Sequence, residues 1–459
     1  MDEGLIAILD IGKTSAKLTV TDWATGAETW QAERPALARH GQLDLGGIAG
    51  WLRDSLGAIP DRQRLRAIIP VTHGSAAAFL GADGAVLAAP DYEDPAHSAI
   101  DAEYEALRDP FEATLSPKLP QGQNLGRQIY WLARSQPALF TQVRHILPYP
   151  QYWAYALSGV MASEVTSVGA HSDLWLPREG RFSPLAVSQG WAALFPPLRA
   201  AGDVLGPIRS ELAVELSLDP ACQVWCGLHD SNASYLCHRA RRAGPFAVVS
   251  SGTWTIVMSA AADLDSFNPS RDMLGNVDVF GVPVGTGRFI GGREFAAIAG
   301  SDPAQPTLAG IAEALEQGTM ALPSFGSGGP FQGRQGRIVG PAPRDAAARA
   351  SLATLYVALM TDVVLDLMGV QCDVVVDGPL AVNPLFPPLL AALRPACTVL
   401  ATGRRAGTLG GARWLVRGPA EPAPAVSAAS PLALPGLEPY RESWRKAAEG
   451  GVTPAGPAG

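Results

Sequence analysis

Two short segments of this chain have the make-up of phosphate cradles. Asp10-Ile-Gly-Lys-Thr14 and Ser250-Ser-Gly-Thr253 each set a small or acidic residue, a glycine and a threonine in a tight turn between apolar runs. Glycine lets a backbone come close to a ligand, and the N–H groups of such a turn can face phosphate oxygens. The hydroxyls of Thr14 and Thr253 would add donors. The chain holds only four lysines, Lys13, Lys17, Lys118 and Lys446, and two of them flank the first turn; a compact ammonium suits phosphate well. Gly12 and Gly252 lie 252 − 12 = 240 residues apart, a spacing that suggests two related domains serving one ligand. Taken singly, either turn reads equally well as an ordinary hairpin.

A third candidate lies between them. The apolar run 223–228 leads into His229-Asp230-Ser231-Asn232, after which a helical pattern begins. A carboxylate at the carboxyl end of a strand stands where α/β sheets place their ligands, so Asp230 suits the role of general base. Aspartate ahead of a helix is equally an N-cap; the capping box is absent, because Ala233 stands where Glu or Gln would. Cys222-x3-Cys226-x2-His229, with Cys237 beyond, offers thiolates and an imidazole to zinc. Against that, residues 222–228 read as a buried strand, and free cysteine is common in cores.

The elements that must position these residues follow from the hydrophobic period. Residues 5–10, 17–22 and 27–32 predict a three-stranded meander, and 66–72 a central strand ending at His73-Gly74. Helices are expected over 124–134, 151–157, 233–242 and 344–368, with a strand at 373–377 turning at Gly378-Pro379. Gly244-Pro245 marks both a helix stop and a domain boundary. The expected division is 1–243, 244–417 and a Pro/Ala-rich tail, 418–459, acting as a linker over 418–436 with a terminal helix at 438–449. The glycine-rich stretch 325–336 is expected to be a flexible surface loop, and the last ten residues disordered.

With 47% apolar and 17% charged residues over 459 positions, the composition is globular, and a formal charge of −8 argues against a broad nucleic-acid surface. The start lacks the basic region of a secretory signal, and the apolar run 352–368 is interrupted by Asp362 and Asp366, as in a buried helix. A cytoplasmic protein without membrane or nucleic-acid partners is expected, and a homodimer is compatible with it. Five cysteines make no disulfide framework. Gly12-Lys13-Thr14 would end a Walker A motif only if glycine stood at position 7, which is Ala7, and Gly285-Thr-Gly287 lacks the third glycine of a dinucleotide fingerprint.

Taken in order, residues 10–17, 227–233 and 250–254 resemble the first phosphate motif, the catalytic-base segment and the second phosphate motif of the FGGY carbohydrate kinases, members of the actin and hexokinase superfamily. The resemblance implies an α/β fold of two ribonuclease H-like (actin-like ATPase) domains with an interdomain cleft, ATP and Mg²⁺ as cofactors and a small-molecule sugar as partner. It implies Asp230 as the base and Asp10 as the carboxylate near magnesium, through water. Gly12, Thr14, Gly252 and Thr253 become phosphate contacts, with Lys13 and Lys17 beside them. Residues 376–383 match the adenine segment only in part, departing at Pro379, so Gly378 and Asn383 are its nucleotide candidates; Gly407–Gly411 resembles a later helix start of the family. His73, Gln151 and Asn232 fall in substrate-facing regions, with Glu164, Asp173 and Trp153 as further options. Ser250–Trp254 is most similar to the branch acting on 6-deoxyketoses such as L-fuculose and L-rhamnulose, whereas 149–153 and 286–294 diverge. The rival reading is a sugar sensor that kept the fold without turnover, and the retention of Asp10, Thr14, Asp230 and Thr253 weighs against it.

Overall fold

The apolar runs that open each half of the sequence form the central strands of two sheets of the same design. The structure is a computed structural model and describes residues 3–403 and 406–450; the expectation of disorder at the C-terminus concerns residues that, apart from Gly450, lie outside this range. Two compact units are present, and neither is contiguous. The first comprises Met1–Ala243, Leu274–Val284 and Ala406–Pro424, the second Gly244–Met273, Gly285–Arg405 and Ala425–Gly459.

In the first unit, β1 (Leu5–Ile11) pairs antiparallel with β2 (Ser15–Asp22), and β2 with β3 (Glu28–Pro35). On its other side β1 runs parallel to β4 (Leu65–Thr72), which in turn pairs parallel with β6 (Gln223–Trp225) and β7 (Leu228–His229); β5 (Val204–Pro207) closes that edge antiparallel to β6. The strand β1 is buried on both faces, as a central strand must be. Its residues Leu5, Ala7, Leu9 and Ile11 enter one core with Leu52 and Trp153, while Ile6 and Ile8 enter another with Ala233, Leu236 and Ala412. Each buried Leu or Ile among them contributes about 1.5–3 kcal/mol.

The second unit repeats this order. The hairpin β8 (Phe246–Ser251) and β9 (Thr255–Ser259) extends to β10 (Pro283–Phe289) by antiparallel pairing, and β8 runs parallel to β11 (Asp373–Asp377), followed by β12 (Val399–Ala401) and an antiparallel edge, β13 (Ser427–Ala428). A hairpin whose first strand is flanked by a parallel strand therefore occurs twice, with Gly12 and Gly252 in equivalent turns. The long helix Ala346–Leu367 is almost wholly buried; by length and composition it could cross a membrane, yet 89% of that apolar window is inside the protein.

Two expectations need correction. The glycine-rich stretch 325–336 is no flexible loop. The amides of Phe325 and Gly326 donate to the buried carboxylate of Glu294 at 3.0 and 3.2 Å, Gly329 donates to Asp272 at 2.8 Å, and Phe331 is buried. Gly326 and Gly336 serve close approach: a Cβ on Gly326 would lie 2.1 Å from Ile290 Cγ2 and one on Gly336 2.5 Å from Phe325 Cγ. Likewise 418–436 is not simply a linker, since Glu421 is buried against Arg413 and Arg417, and β13 adds to a sheet edge. Composition misleads in both places because backbone hydrogen bonds and single buried anchors leave no periodic trace.

Candidate active site

The two turns are closed by their own glycines. The Gly12 amide donates to Ser15 O and the Gly252 amide to Trp254 O, both at 2.9 Å, so these N–H groups shape the turns and the donors left for a ligand are their neighbours. Asp10, half-buried, stands opposite Lys17 in the β1–β2 register, at the end of the hairpin nearest the turn. Lys17 Nζ lies 3.7 Å from Glu33. The Lys13 ammonium pairs with Asp91, sits 3.7 Å from Glu93 and lies 4.5 Å from the centre of the Tyr92 ring, so the cation is held beside the turn and partly neutralised there. Thr14 is exposed.

In the second unit the turn is braced from behind. Gly292, at the start of the helix Gly291–Ala299, donates to Thr253 O at 3.2 Å, and any Cβ there would lie 2.2 Å from Gly252 O. Gly378 has φ +80° and would drive a Cβ to 2.1 Å from Ser251 O, while the Ser251 hydroxyl bridges Asp377 O and the Leu380 amide. Asn383 has its side chain committed: Oδ1 accepts from the Leu385 and Phe386 amides at 3.0 Å and Nδ2 donates to Thr354. Gly410 and Gly411, in the first unit, allow the helix Ala406–Arg417 to lie against the helix Asp230–Arg239, since a Cβ on Gly411 would fall 2.0 Å from Ala233 O.

Asp230 is the first residue of that helix, which begins three residues earlier than the sequence pattern suggests. It is not a cap: the N-cap position is His229, without a side-chain capping bond. Its Oδ1 accepts from the Ser231 amide at 2.6 Å and the Ser231 hydroxyl at 3.2 Å. Burial pushes its carboxyl up to about 6, against the opposing pull of the Ser231 bonds. The strand delivering it is bent at Gly227, whose φ is +78° and where a Cβ would meet Pro70 O at 2.1 Å.

The sugar candidates differ in what they touch. His73 follows β4 directly, its Nδ1 2.8 Å from Gly74 O, and burial, with Lys13 nearby, holds its ring neutral at about 4. Gln151 is fully buried and donates to the carbonyls of Cys226 and Gly227, and Asn232 is buried beside His229, so both brace the segment around Asp230. Asp173 is a buried node for Arg108, Tyr104 and Asn124, and Trp153 is core. Cys222 and Cys226 are core as well, burial pushing the Cys222 thiol up to about 12, and among the described residues no three His, Cys, Asp or Glu side chains group to hold a metal.

Glu164 is entirely buried, accepts from the Thr166 hydroxyl and the Ser167 amide, and has its carboxyl pushed up to about 7 by burial. Its native pKa exceeds the ordinary value, so its contribution to stability is full below about 4.5 and is lost as pH rises through about 7. Glu164→Gln should therefore match the parent protein at pH 5 and exceed it at pH 8.5, by on the order of 2 kcal/mol. Urea unfolding at both pH values measures this; equal stability of the two proteins at pH 8.5 would show that Glu164 carries no such cost.

Residues 243–424 match the family described as carbohydrate kinase FGGY, C-terminal domain. An L-fuculokinase of Salmonella typhi is 25% identical over 288 residues, a match spanning 58% of this chain and 58% of that protein. A carbohydrate kinase structure from Novosphingobium aromaticivorans superposes with a TM-score of 0.85 at 36% identity, over 98% of this chain and 99% of the other. The fold is shared with Plasmodium falciparum glycerol kinase with ADP, at a TM-score of 0.76, 12% identity, and 97% and 98% coverage. Duplicated hairpin sheets, the segments around Asp10, Asp230 and Gly252, and the full-length likeness to a carbohydrate kinase together place this chain in the FGGY carbohydrate kinase family.

Proposed function

We propose that the protein transfers the γ-phosphoryl group of ATP to a hydroxyl of a ketose-type sugar, with Asp230 as general base. The observation that carries this reading is the state of Asp230: a half-buried carboxylate at a strand end, with one oxygen engaged and its pKa lifted to about 6, strong enough to take an alcohol proton and still ionised at neutral pH. The likeness to L-fuculokinases favours a 6-deoxyketose such as L-fuculose or L-rhamnulose.

In this reading the sugar hydroxyl binds at Asp230, which takes its proton as the oxygen attacks the γ-phosphorus in line. The new P–O bond forms as the bond to the β–γ bridging oxygen breaks, and ADP leaves. His73 would face the sugar. The turn amides beside Gly12 and Gly252, with Thr14 and Thr253, would hold phosphate oxygens, and Gly378 with Asn383 would shape the nucleotide end. Asp10 fits Mg²⁺, which keeps several waters and phosphate oxygens and asks for only one or two carboxylates; when bound, the ion offsets charge on the phosphates. Lys13 would lend charge to the same end of the hairpin.

A coupled ADP-release screen over ketoses and polyols with MgATP tests the proposal. At least one ketose should stimulate turnover, and kcat/KM should fall as pH drops through about 6, where Asp230 takes up a proton and ceases to be a base. No stimulation by any sugar would sink the reading.

A further inference from the structure

We propose that His229 is a positioning residue for the base: its Nε2–H and the two donors of Ser231 hold Oδ1 of Asp230, leaving Oδ2 as the atom that receives the alcohol proton. The inference rests on the reading of Asp230 as base, and it begins from an asymmetry in the carboxylate. Oδ1 takes the Ser231 amide at 2.6 Å and the Ser231 hydroxyl at 3.2 Å, and His229 Nε2 stands 3.3 Å from the same oxygen. These contacts all fall on Oδ1.

The residue is held at three points, one on its backbone and two on its ring. The His229 backbone N–H donates to Thr166 Oγ1 at 3.1 Å, and Thr166 is itself bonded to Glu164. Asn232 Nδ2 lies 3.4 Å from Nδ1. Position 74 must be glycine for the ring to lie where it does, since a Cβ there would be 2.9 Å from Nε2. Burial keeps the imidazole neutral, with its pKa lowered to about 4, so it carries one proton. With the Asn232 amide donor facing Nδ1, that proton belongs on Nε2, toward Asp230. The titratable groups around the pair are His73, which the His229 ring influences, and Glu164 behind Thr166.

Neutrality matters here. A cationic imidazolium would pull the carboxyl pKa down and weaken the base, whereas a neutral N–H orients the carboxylate at little cost in basicity. Rotation of Asp230 about its terminal bond would otherwise exchange the two oxygens and misalign the acceptor. In the bound state such contacts shorten relative to the free protein.

The test uses three substitutions that differ in where they leave a donor. His229→Gln places an amide nitrogen near the former Nε2, His229→Asn reaches only the Nδ1 position, and His229→Leu supplies none. The first readout is the carboxyl ¹³C titration of Asp230 in the full chain, assigned by the signal that Asp230→Asn removes. The second is kcat and KM with MgATP and L-fuculose. For the Leu and Asn variants we expect the midpoint to rise by about half to one unit and kcat to fall about tenfold with KM within about twofold, while Gln restores both. A wild-type midpoint in the Leu variant, or a Gln variant as impaired as Leu, overturns the proposal; if L-fuculose is not turned over, the titration alone decides it. Full activity of Asp230→Asn would instead overturn the base assignment itself, an outcome separable from any His229 result.

Discussion

Asp230→Asn should lower kcat/KM for the sugar by about 10²–10⁴-fold, roughly 3–5 kcal/mol of transition-state stabilisation, without loosening the fold. The substituted amide keeps an oxygen that accepts from Ser231, and it removes a carboxylate that burial disfavours, so the melting temperature should hold or rise. The two readouts then move independently, as a chemical role requires. The variant should also lose the acid limb near pH 6, because no group titrates at that position. ADP release over a range of sugar concentrations between pH 5.5 and 8.5, beside a thermal melt, gives both answers; substantial residual turnover would remove Asp230 from the chemistry.

The second large effect lies in the second unit. Asp362 is completely buried in the helix Ala346–Leu367 and takes Arg441 at 2.7 and 2.9 Å, Arg445 at 2.5 Å and Arg394 at 3.3 Å, with Asp366 sharing Arg394 and Arg445. Arg441 and Arg445 belong to the helix Leu437–Glu449, whose Trp444 is also buried and donates to Ala321 O. Asp362→Ala leaves guanidinium groups facing one another with a single carboxylate, and breaking a buried pair from one side costs about 3–5 kcal/mol. We expect a melting temperature lower by about 10 °C and early proteolytic release of the C-terminal helix. An unchanged melt and an unchanged digestion pattern would mean that this network contributes no net stability.

How much of this could be read from the letters depended on whether a feature is local. The strands 5–10 and 17–22 and the helix over 437–449 announce themselves by period, and the helix over 346–367 by a long apolar run that carries Asp362 and Asp366. The candidate phosphate turns and Asp230 stand out because few residue types can sit there, and the family resemblance orders them. The roles of Gln151 and Asn232 were hidden, because a polar side chain that braces a backbone segment distant in sequence has the same letter as one that faces a ligand. Glu164 and His229 stand out in the sequence for other reasons, as a sugar option and as part of a zinc candidate; their burial and their partners Thr166 and Asp230 have no sequence signal. In 325–336, glycine was taken for freedom where the fold uses it for room.

The bend at Gly227 couples two parts of the site that are distant in sequence. Gly227 stands three residues before Asp230, and the carbonyl it presses against belongs to Pro70, three residues before His73. Any larger residue at 227 must push Pro70, and with it the strand end that carries His73. If Asp230 and His73 act as proposed, change in substrate preference along a lineage is constrained: the two cannot be retuned one at a time through their backbones. Variation in specificity should instead collect on side chains that line the site without sharing this contact.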